Sequence, residues 1–323
     1  MISDFKNTND IADWLRAVPY RVQRNNKLYN ADELYGGYTP SDDAEMDKIS
    51  FDSCYDSLVY QHFVEHGKIA RDVNESLART FHDHGIHWAL KAFLAEHDPK
   101  RCIGIMGGHA IQRTDPMFAT VALLSKRLTE EGFLMVSGGG PGAMEATHLG
   151  AWMAGRTNQE THEAIGMLAS AAASFKDQRW VASALEVMRR YPQHRYVSLG
   201  IPTWLYGHEP STPFATHIAK YFENSLREDT ILTIAFGGIV YTPGSAGTLQ
   251  EVFQNAVQDH YLSFGFASPM IFMGKQFWTS DVPVYPLMQH LMATGRYKNL
   301  LLTLTDDPTE VERVLKEFQK TGQ

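Results

Sequence analysis

The chain contains two glycine-rich turns, Val136-Ser137-Gly138-Gly139-Gly140-Pro141-Gly142-Ala143-Met144 and Tyr241-Thr242-Pro243-Gly244-Ser245-Ala246-Gly247-Thr248-Leu249-Gln250-Glu251. Each turn follows an apolar run and precedes a segment with helical periodicity, which indicates the end of a buried strand and the N-terminus of a helix. Such a turn presents free backbone N–H groups beside the positive end of the helix dipole, where anions and especially phosphate groups bind. The two turns therefore predict a nucleotide site, with the acidic Glu251 at its edge.

The composition is that of a globular protein. Of the 323 residues, 44% are hydrophobic, which is enough to bury a full core, and the formal net charge is -8 at pH 7. No stretch is strongly basic, so the sequence lacks the clustered lysines and arginines that non-specific nucleic-acid binding needs. The two cysteines, Cys54 and Cys102, form no metal or disulfide pattern, which fits a reduced compartment.

The first residues lack the basic and apolar regions of a signal peptide, and no apolar run is long enough to span a membrane. We therefore expect a cytoplasmic protein whose partner is a small molecule, without a nucleic acid or a membrane.

The pattern of the chain changes near residue 100. Residues 1–99 show helical patterns without strand–helix alternation, and we interpret them as a helical N-terminal extension. Residues 100–323 alternate between strands and helices, which predicts an α/β Rossmann-like domain with a doubly wound, mostly parallel sheet and helices on both faces. In such sheets the ligand binds at the carboxyl ends of the strands, where both glycine turns fall.

The predicted strands lie near residues 102–106, 133–136, 164–168, 196–199, 238–242, 269–273 and 300–304. Residues 230–235 leave two alternatives open, because their β-branched side chains suit a strand but they could also extend a helix that begins near Pro213. Residues 200–213, rich in proline and aromatic side chains such as Trp204 and Tyr206, are either a packed loop or a lid over a base.

Other nucleotide and metal motifs fit poorly. The first turn matches the dinucleotide fingerprint, but the next predicted strand ends in Leu168-Ala169-Ser170, without the acid that would bind the ribose. Neither Gly-Lys pair of the chain is followed by the Ser or Thr of a P-loop. A loose histidine cluster lacks a carboxylate or cysteine to complete a metal shell, and we expect no metal site there: His82, His84, His87 and His97.

The second turn has two interpretations. Thr248 and Glu251 have the spacing of a capping box, in which Thr248 is the N-cap and Glu251 bonds back to it. A helical wheel places Leu249, Val252, Phe253, Ala256 and Val257 on the buried stripe and places Thr248, Glu251 and Asn255 on another face. This second arrangement leaves Glu251 free to point into a cleft.

At these two turns the sequence resembles the LOG (LONELY GUY) family of nucleoside 5′-monophosphate phosphoribohydrolases, also called lysine decarboxylase-like proteins, and in particular larger bacterial members with an N-terminal extension. That family pairs a G-G-G-x-x-G-x-M turn with a P-G-G-x-G-T-x-x-E turn, and the match extends from about residue 101 to residue 307. Here the first turn is one residue shorter and Ser245 replaces the second glycine of the second turn. The Arg-Lys pair that precedes the family's second turn corresponds to Arg227-Glu228.

The resemblance implies hydrolysis of the N-glycosidic bond of a nucleoside monophosphate by a homodimer or higher homo-oligomer without a cofactor. Glu251 would orient the ribose hydroxyls or the water and stabilise the cation that forms, and Arg227 would bind the substrate or position Glu251. The predicted substrate contacts are Gly108, Gly139, Gly140, Gly142, Met144, Gly244, Ser245, Gly247 and Thr248. The alternative is a Rossmann-like carrier or sensor that binds a nucleotide or phosphate-bearing cofactor without turning it over.

Overall fold

The computed structural model describes residues 8–22, 27–207 and 209–321. Its centre is a seven-stranded sheet in the order β4-β3-β2-β1-β5-β6-β7, and every strand pair in the described ranges is parallel. The strands are β1 (Cys102–Met106), β2 (Leu134–Ser137), β3 (Ser198–Gly200), β4 (His217–Ile218), β5 (Gly238–Tyr241), β6 (Pro269–Met273) and β7 (Leu301–Thr305). The predicted α/β doubly wound fold is confirmed.

The α-helices are α1 (Thr8–Ala17), α2 (Ala31–Tyr35), α3 (Ala44–Asp52), α4 (Tyr55–Glu65), α5 (Val73–Leu94), α6 (Pro116–Glu130), α7 (Ala143–Trp152), α8 (Asn158–Ala171), α9 (Trp180–Arg190), α10 (Asn224–Leu232), α11 (Ala246–Tyr261), α12 (Val284–Ala293) and α13 (Pro308–Thr321). Alternate residues of β1 enter different apolar clusters, since Ile103 and Ile105 pack with α6 and α7 whereas Cys102 and Met106 pack in the cluster on the other face. Both faces of the sheet are therefore covered, as buried parallel sheets require.

The N-terminal helices pack on the β3–β4 side of the sheet. Tyr29 forms an antiparallel bridge with Ile218 of β4. The buried Asp56 of α4 accepts hydrogen bonds from the Lys220 ammonium at 2.6 Å and from the Trp204 indole at 2.9 Å. The side chains of this region therefore share one apolar cluster with the sheet, and the boundary at residue 99 stays a prediction.

Two predicted elements are wrong. Residues 164–168 belong to α8 and not to a strand, because Ala164, Ile165 and Leu168 lie on one buried face of a helix that starts with a Thr157–Glu160 capping box. Residues 213–235 do not form one long helix, since strand β4 lies within them and α10 ends at Leu232. For residues 230–235 the helical alternative is the better one, with a turn after Leu232.

Candidate functional site

Three turns meet where the strand order reverses, at the carboxyl ends of β1, β2 and β5. Gly108, after β1, joins them: its N–H donates to the Pro243 carbonyl at 2.9 Å and its carbonyl accepts from the Ala143 N–H at 3.4 Å. A Cβ at Gly142 would lie 2.3 Å from the Gly108 carbonyl oxygen, and Gly142 has a φ of +69°. The first glycine turn therefore needs a glycine at position 142 both for its backbone conformation and for this close approach.

A cavity of about 260 Å³ lies between these turns. Seven predicted site residues line it, namely Gly108, Met144, Arg227, Ser245, Gly247, Thr248 and Glu251. The remaining lining residues include His109 and Glu228, whose place in a site the sequence did not indicate, and Tyr206 and Glu209 of the loop at residues 200–213. A lid over a base is one of the two predictions for that loop, whereas the sequence marks Glu228 only as a departure from the family pattern.

Four predicted contact residues, Gly139, Gly140, Gly142 and Gly244, are not among the residues that line this cavity. They shape the turns behind it. Gly139 has a φ of +68°, and its carbonyl accepts a hydrogen bond from the Thr212 N–H at 2.8 Å. A Cβ at Gly244 would come within 2.2 Å of the Thr248 Oγ1. Direct contact of these four glycines with a ligand stays a prediction.

A buried hydrogen-bonded array holds the first glycine turn from behind. The Ser137 Oγ accepts from the Gly139 N–H at 3.2 Å and lies 2.8 Å from the Nε2 of His148. Burial lowers the pKa of His148 to about 3, so this imidazole is neutral near pH 7. Both side chains are fully buried and support the turn.

Helix α11 presents Glu251 to the cavity. The helix begins at Ala246 with Ser245 as its N-cap, and Ser245 makes no side-chain capping bond. Thr248 is therefore inside the first turn, and the capping-box interpretation of Thr248 and Glu251 is wrong. The helical wheel is also wrong in part, because Val257 is 43% exposed whereas Thr248, Glu251 and Asn255 are buried. Tertiary packing places this polar face inward, towards the turns.

Glu251 and Arg227 lie in the same cleft, as the sequence predicted. The Arg227 Nη1 is 3.6 Å from the Glu251 Oε1, and both side chains are largely buried. Burial raises the pKa of Glu251 to about 7; the charge of Arg227 opposes this effect and the nearby Glu228 adds to it. Near neutral pH this carboxyl group can therefore exist in either protonation state.

Neighbouring side chains hold this part of the cleft in place. The Arg227 Nη2 approaches the Met144 Sδ at 3.8 Å, and its buried Nε has no hydrogen-bond partner in the described part of the chain. Glu228 accepts from Asn224 at 2.6 Å and from Gln250 at 2.9 Å, which links α10 to α11. The cleft thus combines one guanidinium with several carboxylates.

Within the described ranges, no group of three or more histidine, cysteine, aspartate or glutamate side chains is placed to hold a metal ion. None of the described helices is long and apolar enough to cross a membrane.

A second buried acid on α11 gives a prediction about stability. The Asp259 Oδ1 accepts from the Ser268 N–H at 3.2 Å, its Oδ2 has no partner among the residues described, and burial raises its pKa to about 7. A carboxyl whose pKa is raised on folding contributes stability below its unfolded pKa, and this stability is lost as the pH rises through the folded value. We therefore expect Asp259→Asn to increase the free energy of unfolding, with a gain about 2 kcal/mol larger at about pH 8 than at about pH 5.

Denaturant unfolding at both pH values measures this difference. Asp13→Asn is the matched control, because that side chain is 76% exposed. An equal effect of Asp259→Asn at the two pH values would contradict the prediction.

Comparison with known proteins gives matches among solved structures only. Neither a protein-family model nor a curated protein matches this sequence. One similar structure is the molybdenum cofactor binding protein from the phototrophic bacterium Rippkaea orientalis, with 15% identity and a TM-score of 0.42, covering 68% of this chain and 96% of that chain. Another is the molybdenum cofactor carrier protein MCP from Chlamydomonas reinhardtii, with 16% identity and a TM-score of 0.42, covering 68% of this chain and 98% of that chain. Membership of the LOG family stays a resemblance carried by the two turns.

Proposed function

We propose that this chain binds a nucleoside 5′-monophosphate in the cleft and hydrolyses its N-glycosidic bond, which gives the free base and ribose 5-phosphate. The observation that carries the proposal is the placement of Glu251. It is a buried acid with a pKa of about 7, beside the guanidinium of Arg227 and one turn from the N-terminus of α11. A perturbed acid in a cleft at the switch point of a parallel sheet is typical of a reactive site.

The chemistry assigns a task to each group. Cleavage of an N-glycosidic bond builds positive charge on the ribose, and an ionised Glu251 stabilises that charge and orients the attacking water. The N–H groups of the first turn of α11, from Ala246 to Thr248, have no partner within the helix and provide donors for the 5′-phosphate. Arg227 holds the substrate and keeps Glu251 partly ionised.

The second candidate is non-catalytic binding of a phosphate-bearing cofactor. Glu228 favours this second candidate. This acid occupies the position at which the LOG family has a lysine, and its two hydrogen bonds hold its side chain in the cleft. The two similar structures are described as binding or carrying a cofactor, which is the same class of function.

One experiment separates the two candidates. The purified protein is incubated with a panel of nucleoside 5′-monophosphates, and free base is sought by chromatography. Base release that requires Glu251 supports hydrolysis. Binding of a monophosphate without any base release, in calorimetry with the same panel, supports the carrier.

We also expect binding to require the 5′-phosphate. The described residues that line the cleft include only one arginine and no lysine, so the helix N-terminus must supply most of the donors to the phosphate. In titration calorimetry, nucleosides should bind at least about tenfold more weakly than their monophosphates, because charge-assisted hydrogen bonds are lost. Equal affinities would contradict a phosphate site at α11.

A further inference from the structure

The short turn of Trp204–Tyr206 carries two aromatic residues with opposite surroundings. Trp204 is fully buried, and its ring stacks on Phe222 with a centroid distance of 4.6 Å. Tyr206 lines the cleft, is 42% exposed, and makes no ring contact or side-chain hydrogen bond within residues 8–22, 27–207 and 209–321. Trp204 therefore fits the packed-loop alternative, whereas Tyr206 lies beside the cleft and the lid over a base stays a prediction.

The N-terminal helices hold this turn in place. Asp56 of α4 accepts a hydrogen bond from the Trp204 indole at 2.9 Å and forms an ion pair with the buried Lys220. The Lys68 ammonium donates to the Leu205 carbonyl at 3.0 Å. Gly207 packs directly on Tyr60 of α4, since a Cβ at Gly207 would lie 2.1 Å from the Cδ2 of that ring. Three residues of the N-terminal region thus contact Trp204, Leu205 and Gly207, the residues on either side of Tyr206.

We infer that Tyr206 is the stacking surface for the planar heteroaromatic ring of the ligand, and that the N-terminal helices set its position. A planar ring that stacks on the exposed part of the Tyr206 phenol removes apolar area of both rings from water. The cleft already provides donors for a phosphate at α11, so a ring on Tyr206 completes a ligand with an anionic end and a planar end. This inference rests on the proposed function for its choice of nucleotide, although a planar ring of another phosphate-bearing cofactor would use the same surface.

The test compares two ligands that differ only by the ring. A nucleoside 5′-monophosphate and ribose 5-phosphate are titrated into the wild type, Tyr206→Ala and Tyr206→Phe, with Tyr261→Ala as a control because Tyr261 is 73% exposed and does not line the cleft. To prevent turnover, the titrations are repeated in the Glu251→Gln background. We expect Tyr206→Ala to weaken monophosphate binding about tenfold or more, because stacking of a base on an aromatic side chain contributes on that scale, and to leave ribose 5-phosphate binding unchanged. Tyr206→Phe and Tyr261→Ala should bind both ligands like the wild type.

A second pair of variants tests the role of α4. Gly207→Ala forces the turn away from Tyr60, so monophosphate binding should weaken while ribose 5-phosphate binding is retained. Adding Tyr60→Ala to Gly207→Ala makes room for the new methyl group and should restore most of the affinity. If the double variant does not recover monophosphate affinity, α4 does not position Tyr206.

The outcomes separate this inference from the proposed function. If Tyr206→Ala weakens the binding of both ligands equally, or of neither ligand, Tyr206 is not the stacking surface. Base release by the wild type would still support hydrolysis in that case. If the wild type binds no monophosphate at all, the proposed function fails and the stacking role fails with it.

Discussion

Glu251→Gln is expected to lower the rate of base release by about a hundredfold or more while nucleotide binding stays measurable. Glutamine has the same shape as glutamate but cannot carry the negative charge that stabilises a cationic ribose or accept a proton from water. In the wild type the Arg227 Nη1 lies 3.6 Å from the Glu251 Oε1. In the variant Arg227 is still present and can bind the substrate. The expected loss is therefore in turnover and not in affinity.

Chromatographic rates and calorimetric affinities measured on the same preparations check this prediction. Asp259→Asn is the matched control, because Asp259 is also a buried acid of α11 with a pKa of about 7 but does not line the cleft. The control should keep base release within about threefold of the wild type, as expected for a change outside the site. Near-normal turnover of Glu251→Gln would show that Glu251 has no catalytic role in base release.

The pH dependence of the wild type gives an independent check. Since the ionised carboxylate is the active form, kcat/KM should rise with pH and level off above about pH 7, the pKa to which burial raises Glu251. The same rise should be absent from the residual activity of Glu251→Gln. A rate that falls above about pH 7 would instead identify Glu251 as a general acid.

The strands and turns near the site were predictable because their signals are local. Apolar runs followed by glycine-rich turns mark β2 and β5; Pro141 restricts its own φ, and Gly142 allows the positive φ that the turn needs. The error at residues 164–168 has the same origin, since a short apolar run fits a buried strand and one face of a helix equally well. The Thr157–Glu160 capping box was the local signal that favours the helix.

The side of the cleft formed by Tyr206 and Glu209 was not predictable in the same way. These residues lie in the connection between β3 and β4, in which Trp204, Leu205 and Gly207 contact Asp56, Lys68 and Tyr60 far away in the chain. Periodicity and turn motifs describe neighbours along the sequence, whereas these contacts depend on how the N-terminal helices pack on the sheet. Arg227 was predictable only because the resemblance indicated an arginine before the second turn.

Arg113→Met is expected to lower the free energy of unfolding by about 3 to 5 kcal/mol. This loss is a large part of the whole free energy of unfolding of a typical globular protein. Arg113 is fully buried, and its Nε donates to the Glu145 carboxylate at 3.0 Å. Its other donors reach the Ser183 hydroxyl at 2.8 Å and the Trp180 carbonyl at 3.0 Å. Removing the guanidinium leaves Glu145 charged, buried and without its cation.

A double variant shows whether the orphaned charge causes this loss. Arg113→Met combined with Glu145→Leu removes both charges, and we expect it to regain most of the lost stability, because replacing a whole buried ion pair by apolar side chains is often neutral. Arg313→Met is the surface control, since its side chain is 56% exposed and its ion pairs with Glu310 and Glu317 should contribute at most about 1 kcal/mol. Arg113 follows the turn that contains Gly108, and Glu145 lies in the first turn of α7, so this pair fixes two of the three turns that form the cleft. Denaturant unfolding of the four proteins measures the effect, and equal losses for Arg113→Met and Arg313→Met would show that the buried pair does not hold these turns together.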